Sequence, residues 1–399
     1  MHSDLNNFYA SVECLEHPEL VGVPVAVGGA EEERHGIVLA KNMVAKAAGI
    51  KTGMTLWQAR QLCPNLVTFK ANFGKYLEMS RRVKAIYRQY TDTLESFGID
   101  ECWLDITKST KLFGSPFEIA QTIRKRVKAE TGLTVSIGVS FNKVFAKLGS
   151  DLKKPDAVTE IGFENFREIV WPLPASDMLG VGKATANKLN QLGICTIGDL
   201  ANVDPKILEG LFGKNGRAIF EAANGRDFSP VCEDADVKSI GNSMTYYKDI
   251  VDKKLATALL LALCESVAAR LADEKLGFAS TVHLWVVESD LFSYSRQMSI
   301  APSCLASDFL AAAVKLLEPT HDKRKAIRGL GVTISGFVKQ RQTNLFDPDF
   351  ERKVCAENCV EKIRNKFGRN IFHRGLVMCE PHLAEMNIKD GHDLDASKF

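Results

Sequence analysis

The sequence predicts a multidomain protein that combines α/β and α+β architecture. Its 399 residues exceed the length of one ordinary domain, and a composition of 45% hydrophobic and 25% charged residues is normal for a soluble globular chain. Helix and strand patterns alternate up to about residue 161, whereas residues 240–338 show strands grouped around two helices. Short helices separate these regions, so we expect two to four domains.

The first region predicts an α/β core with an insertion. An amphipathic helix is expected near 76–90, a strand at 100–106 and a second strand at 134–139. Residues 24–69 carry short apolar runs separated by Gly and Pro, a pattern that indicates an insertion. After Asp156 the pattern changes to short helices with tight glycine turns, which continue to about Gly225.

The last region predicts a small domain followed by a tail. Residues 226–239 form a polar connector, and residues 240–338 predict a β-α-β-β-α-β unit. Its expected elements are a strand at 243–247, a helix at 254–274, strands at 281–287 and 292–300, a helix at 305–317 and a strand at 331–337. The remainder, 339–399, is polar and loop-like apart from a predicted helix at 350–367.

Charge and cysteine content limit the partners that the chain can have. The 51 basic and 49 acidic residues nearly cancel to a net charge of +2, so any surface for nucleic acid must be local. Ten cysteines form no C-x-x-C pair, no secretory signal opens the chain, and no apolar run approaches membrane-spanning length. We therefore expect a cytoplasmic protein with free thiols and no membrane partner, in which Cys355 and Cys359 are ordinary helix residues.

Two adjacent carboxylates, Asp100 and Glu101, interrupt an otherwise apolar strand pattern. Burying unpaired carboxylates is costly and the two charges repel each other, so a divalent cation is expected beside them. Neighbouring side chains of a strand point to opposite faces, so both acids can serve one site only where the strand starts, bends or bulges. Asp4, at the end of a predicted N-terminal strand, offers a third carboxylate. Oxygen ligands of this kind favour Mg²⁺ or Mn²⁺ over Zn²⁺.

A second motif predicts binding of a phosphate backbone. Residues 179–184, Leu-Gly-Val-Gly-Lys-Ala, precede an alanine-containing helix and a Leu-Gly-Ile turn at 192–194, which resembles a helix-hairpin-helix. Gly180 and Gly182 would let the backbone approach a phosphate, and the N–H groups at Lys183 would bind it without reading a base. A simple turn between two helices is the alternative.

With an acidic first strand, an acid pair and a phosphate-binding helical unit in this order, the chain resembles a Y-family, translesion DNA polymerase of the bacterial DNA polymerase IV type. The resemblance covers most of the chain in collinear order, and its motifs are specific only in combination. The matching segments are Asp4-Leu5-Asn6-Asn7-Phe8-Tyr9-Ala10-Ser11-Val12-Glu13, Ile99-Asp100-Glu101 with Leu104-Asp105, and Ser140-Phe141-Asn142-Lys143-Val144-Phe145-Ala146-Lys147 with Lys154-Pro155.

The resemblance implies a right-hand polymerase fold. Its expected parts are a catalytic palm at 1–10 and 73–162, small fingers at 11–72, a thumb with the helix-hairpin-helix at 163–229, a linker at 230–239, a β-α-β-β-α-β little finger at 240–338, and a tail with a clamp-binding motif at 339–399. The expected activity is template-directed DNA synthesis from dNTPs on primer-template DNA, with low fidelity, lesion bypass and no proofreading.

The resemblance also gives each acid a role. Asp4 and Asp100 would bridge two Mg²⁺ ions, with Mn²⁺ as a substitute, and the Leu5 carbonyl would complete the metal on the nucleotide side. Glu101 would hold the ion that activates the primer 3'-hydroxyl. Tyr9 aligns with the aromatic steric gate that packs under the sugar of the incoming nucleotide. Phe8 lies next to it in this substrate-binding segment and is expected to face the core.

The triphosphate is expected to meet Lys154 and Lys46, which match family positions that contact it. At two further positions the chain departs from the pattern of the polymerase IV type. Met43 stands where a tyrosine hydroxyl commonly donates to the phosphates, and a thioether cannot donate a hydrogen bond. Lys41 and Asn42 are candidates to compensate for it. Gly98 replaces the serine that usually precedes the acidic motif, and the strand before Asp4 is shorter than in relatives.

DNA contacts are expected from local basic clusters. One lies on the palm at Arg124, Lys125, Arg126 and Lys128. The better candidate is in the little finger, just before its last strand, and comprises Lys323, Arg324, Lys325 and Arg328. Such contacts would be independent of base sequence and sensitive to salt.

The peptide Gln342-Thr343-Asn344-Leu345-Phe346 resembles the Q-x-x-L-F motif by which bacterial polymerases dock on the sliding clamp. Leu345 and Phe346 would fill an apolar pocket of the clamp, and Gln342 would be held by hydrogen bonds. The resemblance thus implies a monomeric enzyme that is tethered at primer ends and associated with the nucleoid.

Two other classes of protein remain open from the sequence. The departures at Met43 and Gly98 and the short first strand would suit a catalytically weak or inactive DNA- and clamp-binding protein on the same scaffold. A nucleotidyl cyclase would share the paired acids, but it would have no use for the helix-hairpin-helix or the clamp peptide.

Overall fold

The computed structural model describes residues 1–29, 34, 36–233, 237–320, 325–342, 349–368 and 371–385. Strands in these ranges form three sheets, of five, four and three strands. Separate hydrophobic cores lie behind each sheet and within a helical unit that follows the five-stranded sheet in sequence. The expected mixture of α/β and α+β units is confirmed.

The five-stranded sheet carries the acidic residues. Its strands are β1 (His2–Leu5), β5 (Leu94–Phe97), β6 (Glu101–Leu104), β7 (Val135–Ser140) and β8 (Val158–Ile161), in the order β5-β6-β1-β7-β8. Strand β1 is central and antiparallel to both of its neighbours. The helices of this unit are α1 (Phe8–Leu15), α4 (Phe73–Tyr87), α5 (Thr110–Phe113), α6 (Pro116–Thr131) and α7 (Lys143–Leu152).

A three-stranded sheet forms the insertion predicted between residues 24 and 69. Its strands are β2 (Val25–Gly28), β3 (Val38–Lys41) and β4 (Val67–Lys70), in the order β3-β2-β4, accompanied by helices α2 (Met43–Ala47) and α3 (Leu56–Leu62) and by a 3₁₀ turn at Pro18–Leu20. Ala26, Val38, Ile50 and Leu56 fill its own small core. The boundary expected after Ala10 falls inside α1, whose buried Phe8, Ala10 and Val12 belong to the core of the five-stranded sheet, while the helix also contacts β2 and β3.

The helical unit follows β8. It contains α8 (Phe166–Val170), a 3₁₀ turn at Ala175–Asp177, α9 (Lys183–Gln191), α10 (Ile197–Asn202), α11 (Pro205–Phe212) and α12 (Lys214–Ala223). Tight glycine turns separate these helices, as predicted: Gly180, Gly193 and Gly213 all have positive φ.

The four-stranded sheet confirms the predicted β-α-β-β-α-β order. Its elements are β9 (Ser239–Ile250), α13 (Lys253–Asp273), β10 (Phe278–Glu288), β11 (Ser293–Ser303), α14 (Ala306–Thr320) and β12 (Ile327–Val338), with strand order β11-β10-β12-β9. All of its strand pairs are antiparallel.

Helix α13 corrects one sequence expectation. It is long and apolar enough, by length and composition alone, to cross a membrane, so the statement that no apolar run approaches that length is wrong. In the structure 72% of its apolar window is buried, because the helix packs against β9, β12 and α14 as the main core helix of its unit.

The tail is more ordered than the sequence predicts. Helix α15 (Phe350–Phe367) agrees with the expectation, but α16 (Gly375–Met378) and α17 (Pro381–Glu385) follow it where a loop was expected. Val377 and Leu383 are 3% and 1% exposed and join the core around α13. Cys355 and Cys359 are exposed on α15, and all ten cysteines are free.

The predicted elements differ from the observed ones mainly at their ends. Helix α4 begins at Phe73, ahead of the expected Tyr76, because the Asn72 side chain accepts a hydrogen bond from the Lys75 amide and caps the helix. Strand β6 is shorter than the expected 100–106, since Asp100 still belongs to the turn before it and Asp105 bonds to Thr107 after it.

The connector after α12 is attached to the first unit by a charged contact. Lys143 at the start of α7 donates to both carboxylate oxygens of Glu95 on β5, at 2.6 Å each. The same carboxylate accepts the Cys232 amide of the connector at 2.9 Å. The connector therefore follows the five-stranded sheet before it enters β9.

Candidate active site

Asp4 lies in the middle of the five-stranded sheet. It pairs in register with Glu101 of β6 on one side and Ser136 of β7 on the other, and it is 6% exposed. The Leu5 amide donates to the Asp100 carbonyl at 3.0 Å, which fixes the turn of Asp100 against the end of β1. The three acids predicted from the sequence are therefore brought together at one place.

The acid pair occupies the start of its strand, as the sequence argument required. Asp100 belongs to the turn after Phe97, and β6 starts at Glu101, so the two side chains are not forced to opposite faces of the sheet. Gly98 in this turn has a φ of +82°, a conformation that L side chains rarely adopt. The glycine that replaces the family's usual serine is thus suited to the turn found here.

Two lysines from the same stretch of chain lie against these acids. Lys154 Nζ is 2.7 Å from Asp4 Oδ2, and Lys147 Nζ is 2.6 Å from Glu101 Oε2 and 3.5 Å from Asp4 Oδ2. Asp151 completes the cluster, since one of its oxygens is 2.7 Å from Lys154 Nζ and the other is 3.5 Å from Lys147 Nζ. Two ammonium groups thus provide the positive charge that the carboxylates need.

The titration of these groups is strongly perturbed. Burial, and then the charges of Asp4 and Glu101, raise the pKa of Asp100 to about 6. Burial and the neighbouring Glu101 also raise the pKa of Asp4. Burial acts to lower the pKa values of Lys147 and Lys154, but the surrounding carboxylates outweigh it and leave both raised. Crowded, desolvated carboxylates of this kind attract cations.

His2, which the sequence reasoning overlooked, lies beneath the acids. It is fully buried, its Nδ1 is 2.9 Å from Ser150 Oγ, and its Nε2 is 3.1 Å from Glu101 Oε2. Burial, and then the charge of Lys147, lower its pKa to about 3, so the ring is neutral near pH 7. A signal was available, because His2 and Asp4 are two residues apart in a strand and share one face.

Lys147 and Asp151 were also missed as site residues. Both lie on α7, four residues apart and on one face of the helix, which packs against β1 and β7. The i,i+4 pair of opposite charges was visible in the sequence. The contact of Lys147 with Glu101 on β6 was not visible in the sequence, because it depends on how α7 crosses the sheet.

The donor set fits divalent cations. Among the described residues, no group of three His, Cys, Asp or Glu side chains has its donor atoms gathered for a metal ion. The proposed ligands Asp4, Asp100 and Glu101 are nevertheless adjacent and offer only oxygen atoms. Two ammonium groups, of Lys154 and Lys147, already lie against Asp4 and Glu101. Metal ions at this place would replace those ammonium groups as the source of positive charge.

The aromatic residues after β1 have different surroundings. The Tyr9 ring stacks on Tyr76 at 4.5 Å between centroids and meets Phe73 edge-on at 5.9 Å. Burial and the charge of Asp100 raise the pKa of Tyr9 to about 12, so its hydroxyl is neutral. Phe8 is 3% exposed and belongs to the core, so its side chain offers almost no surface to a nucleotide.

Helix α2 presents the residues expected near the triphosphate. Met43 is 42% exposed and Lys46 is exposed one turn further on. Asn42 does not compensate for Met43, because its side chain accepts the Ala45 and Val25 amides and donates to the Val23 carbonyl. Lys41 donates to the Thr52 hydroxyl at 3.0 Å, and burial, and then the charge of Lys46, lower the pKa of Lys41.

The helix-hairpin-helix has the expected geometry. Gly180 turns the chain at a φ of +91°, and Gly182 forms the N-cap of α9 without any side-chain cap. Lys183 is the first residue of the helix, and both Gly182 and Lys183 are exposed. The first amides of α9 are therefore accessible to a phosphate oxygen.

The predicted basic clusters are partly neutralised by ion pairs. Arg124 and Lys128 both bind Asp156, at 2.9 and 2.8 Å. Lys325 binds Glu288 and Asp290, at 2.7 and 2.9 Å. These contacts lower the positive charge that either cluster can offer to DNA.

The other residues of these surfaces differ in exposure, and some lie outside the described ranges. Arg126 binds Glu130 at 2.7 Å, whereas Lys125 is exposed. Arg328 is half-buried on β12 and Gln342 is exposed. Lys323, Arg324, Leu345 and Phe346 lie outside the described residues.

Comparison with protein families matches three segments of the chain. Residues 3–151 match the impB/mucB/samB family, residues 237–345 match the C-terminal domain of that family, and residues 176–227 match the thumb domain of DNA polymerase iota. Together these segments span most of the chain and include the acid cluster and the helix-hairpin-helix.

Curated relatives match over nearly their whole length. DNA polymerase IV of Acetivibrio thermocellus is 44% identical over 387 residues, which cover 95% of this chain and 97% of the relative. DNA polymerase IV of Clostridium kluyveri is 37% identical over 390 residues, which cover 94% and 97%.

Solved structures show the same fold. A chimera of the Y-family DNA polymerases Dbh and Dpo4 superimposes with a TM-score of 0.76 and 24% identity, covering 85% of this chain and 99% of the chimera. An insertion ternary complex of Dbh DNA polymerase gives a TM-score of 0.62 at 23% identity, with the same coverage of both chains.

An acid cluster on the central strands, followed by a helix-hairpin-helix unit and a β-α-β-β-α-β unit, defines a Y-family DNA polymerase with palm, small fingers, thumb and little finger. Enzymes of this class use divalent metal ions. Within the class, the chain belongs to the bacterial DNA polymerase IV family, and it is a DNA-directed DNA polymerase of the translesion kind. None of the matches supports a non-catalytic scaffold or a cyclase.

Proposed function

We propose that Asp4, Asp100 and Glu101 bind two Mg²⁺ ions and join dNTPs to a primer 3'-hydroxyl on damaged or intact templates. One observation carries this proposal: Asp4 lies opposite Glu101 in the sheet, and the turn that holds Asp100 is hydrogen-bonded to the end of β1. Mn²⁺ would serve the same oxygen ligands. When bound, such ions neutralise charge on the phosphates and acidify the attacking hydroxyl.

In this proposal the acids bind the metal ions, and the lysines bind the triphosphate. Asp4 and Asp100 would bridge the ions, the Leu5 carbonyl would face the nucleotide-side ion, and Glu101 would face the primer-side ion. Lys154 is the more exposed of the two lysines, 30% against 16%, and it binds Asp4. With ions held by Asp4, the ammonium group of Lys154 would be free to bind the triphosphate together with that of Lys46.

Tyr9 is proposed as the gate for the sugar. Its ring is held by Tyr76 and Phe73 and is therefore rigid. A rigid ring beneath the sugar excludes a 2'-hydroxyl by steric overlap. Phe8 would contribute by packing behind this ring, since their centroids are 5.5 Å apart.

The domain limits are proposed as 1–10 and 73–162 for the palm, 11–72 for the fingers, 163–229 for the thumb, 230–239 for the linker, 240–338 for the little finger and 339–399 for the tail. The five-stranded, three-stranded and four-stranded sheets and the helical unit support this division in outline, but α1 spans the limit at Ala10, and Val377 and Leu383 of the tail join the core of the little finger.

DNA is proposed to contact the thumb through Gly180, Gly182 and Lys183. The exposed amides at the start of α9 support this contact. The little finger would contribute Lys323, Arg324, Lys325 and Arg328, of which Lys325 must first exchange its two carboxylates for phosphate. Such contacts carry no sequence preference, as a polymerase requires.

Docking on the sliding clamp is proposed through Gln342, Leu345 and Phe346. The motif follows β12 and precedes α15, both on one unit, so a clamp bound there would sit next to the little finger. We propose that the enzyme acts as a monomer at primer ends in the nucleoid, where tethering would raise its local concentration to roughly millimolar.

A running-start primer extension across an abasic site tests the catalytic proposal. Wild type should extend past the lesion with Mg²⁺, whereas Asp100→Ala should lose about a thousandfold in rate, since it removes a bridging ligand. Asp92→Ala is the matched control, because Asp92 is exposed on the loop before β5. Equal extension by Asp100→Ala and wild type would refute the assignment.

A further inference from the structure

The loop that carries Lys154 is tied to the end of β1 by the side chain of Asn6. Asn6 is 5% exposed, and its Oδ1 accepts the Asp156 amide at 2.8 Å. Because a backbone N–H can only donate, the oxygen end of the Asn6 amide must face Asp156, and its Nδ2 donates to Ser136 Oγ on β7 at 2.9 Å. Both ends of this buried amide are therefore used, and the loop is hydrogen-bonded to the sheet two residues beyond Lys154.

Helix α6 holds the same loop from the other side. One guanidinium nitrogen of Arg124 donates to the carbonyl oxygen of Asp156 at 3.0 Å and to its Oδ1 at 2.9 Å. Lys128, one turn further along the helix, donates to Oδ2 at 2.8 Å. The buried face of α6 packs in the core of the five-stranded sheet. The amide, the carbonyl oxygen and both carboxylate oxygens of Asp156 are thus bound, which fixes the backbone close to Lys154.

The carboxylate of Asp156 also neutralises the two cations of α6. Its side chain is 20% exposed. Partial burial acts to raise the pKa of Asp156, but Lys128 and Arg124 outweigh it and leave that pKa below its ordinary value. Two cations that share a carboxylate offer less charge to a phosphate backbone. The basic cluster on the palm, which the sequence suggested for contact with DNA, is therefore bound to the loop of Lys154 instead.

The loop and the end of β1 meet at two points, spaced two residues apart on each segment. Lys154 Nζ donates to Asp4 Oδ2 at 2.7 Å, and the Asp156 amide donates to Asn6. A lysine side chain is long and flexible, so the region that its ammonium group can reach is set by the position of its backbone. Any movement of Asp156 would therefore move the ammonium group relative to the acid cluster.

We propose that Asp156 is a positioning residue for nucleotide binding: it holds the Lys154 backbone beside the acid cluster, with Asn6 and α6 as its two supports. This inference rests on the contact between Lys154 and the triphosphate proposed above. An ammonium group that is already in place loses less conformational freedom when the nucleotide binds, so affinity for the nucleotide is higher. The cations of α6 then act on the nucleotide through Asp156, and not on DNA.

Steady-state incorporation of a single nucleotide tests this role. Asp156→Asn removes the charge but tolerates the left-handed backbone at this position, where φ is +52°. It should raise the KM for the dNTP about fivefold and leave kcat within about twofold, because it weakens binding and not the chemical step. The inhibition constant of inorganic triphosphate should rise by the same factor, since the contact is with phosphate alone. Glu130→Gln, which removes the partner of Arg126 on the same helix, is the matched control and should change neither constant.

Arg124→Gln removes the other half of the contact and keeps the test valid if one variant folds poorly. It should raise the same two constants, and the affinity for primer-template DNA should stay unchanged in both variants. If the cluster bound DNA instead, Asp156→Asn would free two cations and tighten DNA binding, and Arg124→Gln would weaken it. Fluorescence anisotropy of labelled primer-template DNA at two salt concentrations measures this. Either that pattern or an unchanged dNTP KM in both variants would overturn the proposal.

Lys154→Ala separates the positioning role of Asp156 from the role of Lys154 itself. It should raise the dNTP KM at least as much as Asp156→Asn does, and the double variant should match Lys154→Ala, because Asp156 acts only through that lysine. A wild-type KM in Lys154→Ala would show that the proposed triphosphate contact is wrong, and the positioning role would fall with it. A raised KM in Lys154→Ala, together with a wild-type KM in Asp156→Asn, would reject the positioning role alone.

Discussion

At the scale of single residues, the buried acids of β1 and β6 are balanced by ammonium groups from α7 and the segment after it. Asp4 and Glu101 are held by Lys154 and Lys147 at hydrogen-bond distance. Carboxylates that are desolvated and adjacent gain from any nearby cation. Under the proposed function, metal ions would take the place of these ammonium groups, so variants of single residues should behave differently with and without Mg²⁺.

The charge of Asp100 should make the metal-free protein sensitive to pH. Its pKa is raised from an ordinary 3.8 to about 6, so the folded state binds this proton more tightly than the unfolded state. The resulting cost to stability is absent below about pH 4, grows as the pH rises, and is fully present above pH 6. With EDTA present, the Tm of wild type should fall relative to that of Asp100→Asn between pH 4 and pH 7. Parallel Tm curves for the two proteins would contradict the raised pKa.

Tyr9 should control the choice of sugar. Tyr9→Ala removes the ring stacked on Tyr76, so ribonucleotides should be incorporated at least tenfold more readily relative to dNTPs, about 1.4 kcal/mol of discrimination. Single-nucleotide incorporation with matched dNTP and NTP pairs measures this ratio. Tyr9→Phe, which keeps the ring, is the control. An unchanged ratio in Tyr9→Ala would reject the gate.

At the scale of elements, helix α7 matters because it brings Lys147 to the acids of two strands. Lys147→Met should destabilise the metal-free protein by about 2 kcal/mol, because Glu101 and Asp4 lose a partly buried counter-charge. Urea unfolding with EDTA measures the loss, and Lys125→Met, at an exposed position on α6, should be neutral.

Saturating Mg²⁺ should reduce the defect of Lys147→Met, since the ions would supply the missing positive charge. A defect of the same size with and without Mg²⁺ would show that Lys147 acts through packing alone. The same comparison in Lys125→Met should show no dependence on Mg²⁺ beyond that of wild type.

The features that could be predicted from the sequence are those with local causes. Asp100 and Glu101 stood out because acids within an apolar strand are anomalous, and the β-α-β-β-α-β unit followed from its hydrophobic periodicity. The pairing of Lys147 with Glu101 could not be predicted, because it links positions 46 residues apart through the crossing of α7 over the sheet. Helices α16 and α17 were missed because, among their described side chains, Val377 and Leu383 alone are buried, which gives no periodic pattern.

At the scale of the whole molecule, the chain is a series of units whose cores meet, since Phe145, Leu148 and Ile161 of the first unit belong to the core of the helical unit. The connector is bonded to Glu95 on the first sheet, and the tail is anchored by Arg364 and Arg374 on the last unit. The units are therefore joined both by a few charged groups and by the apolar core that α7 and β8 share with the helical unit.

Deleting residues 342–346 should abolish stimulation of synthesis by the clamp and spare synthesis without it. The deletion lies between β12 and α15, outside the acid cluster, so catalysis on short primers should not change. Primer extension on a long circular template, with and without loaded clamp, measures both quantities. Equal stimulation of the deletion variant and wild type would rule out this motif as the docking site.

Helix α13 has a consequence for synthesis of the chain on the ribosome. Its apolar residues are complete by Asp273, but of the strands that cover them only β9 has been made by then, and β12 ends 65 residues later, at Val338. During that interval a helix with the composition of a membrane span is without most of its partners. The nascent chain therefore exposes an apolar helix during this interval, and exposed apolar surface of this kind makes a folding intermediate prone to aggregate.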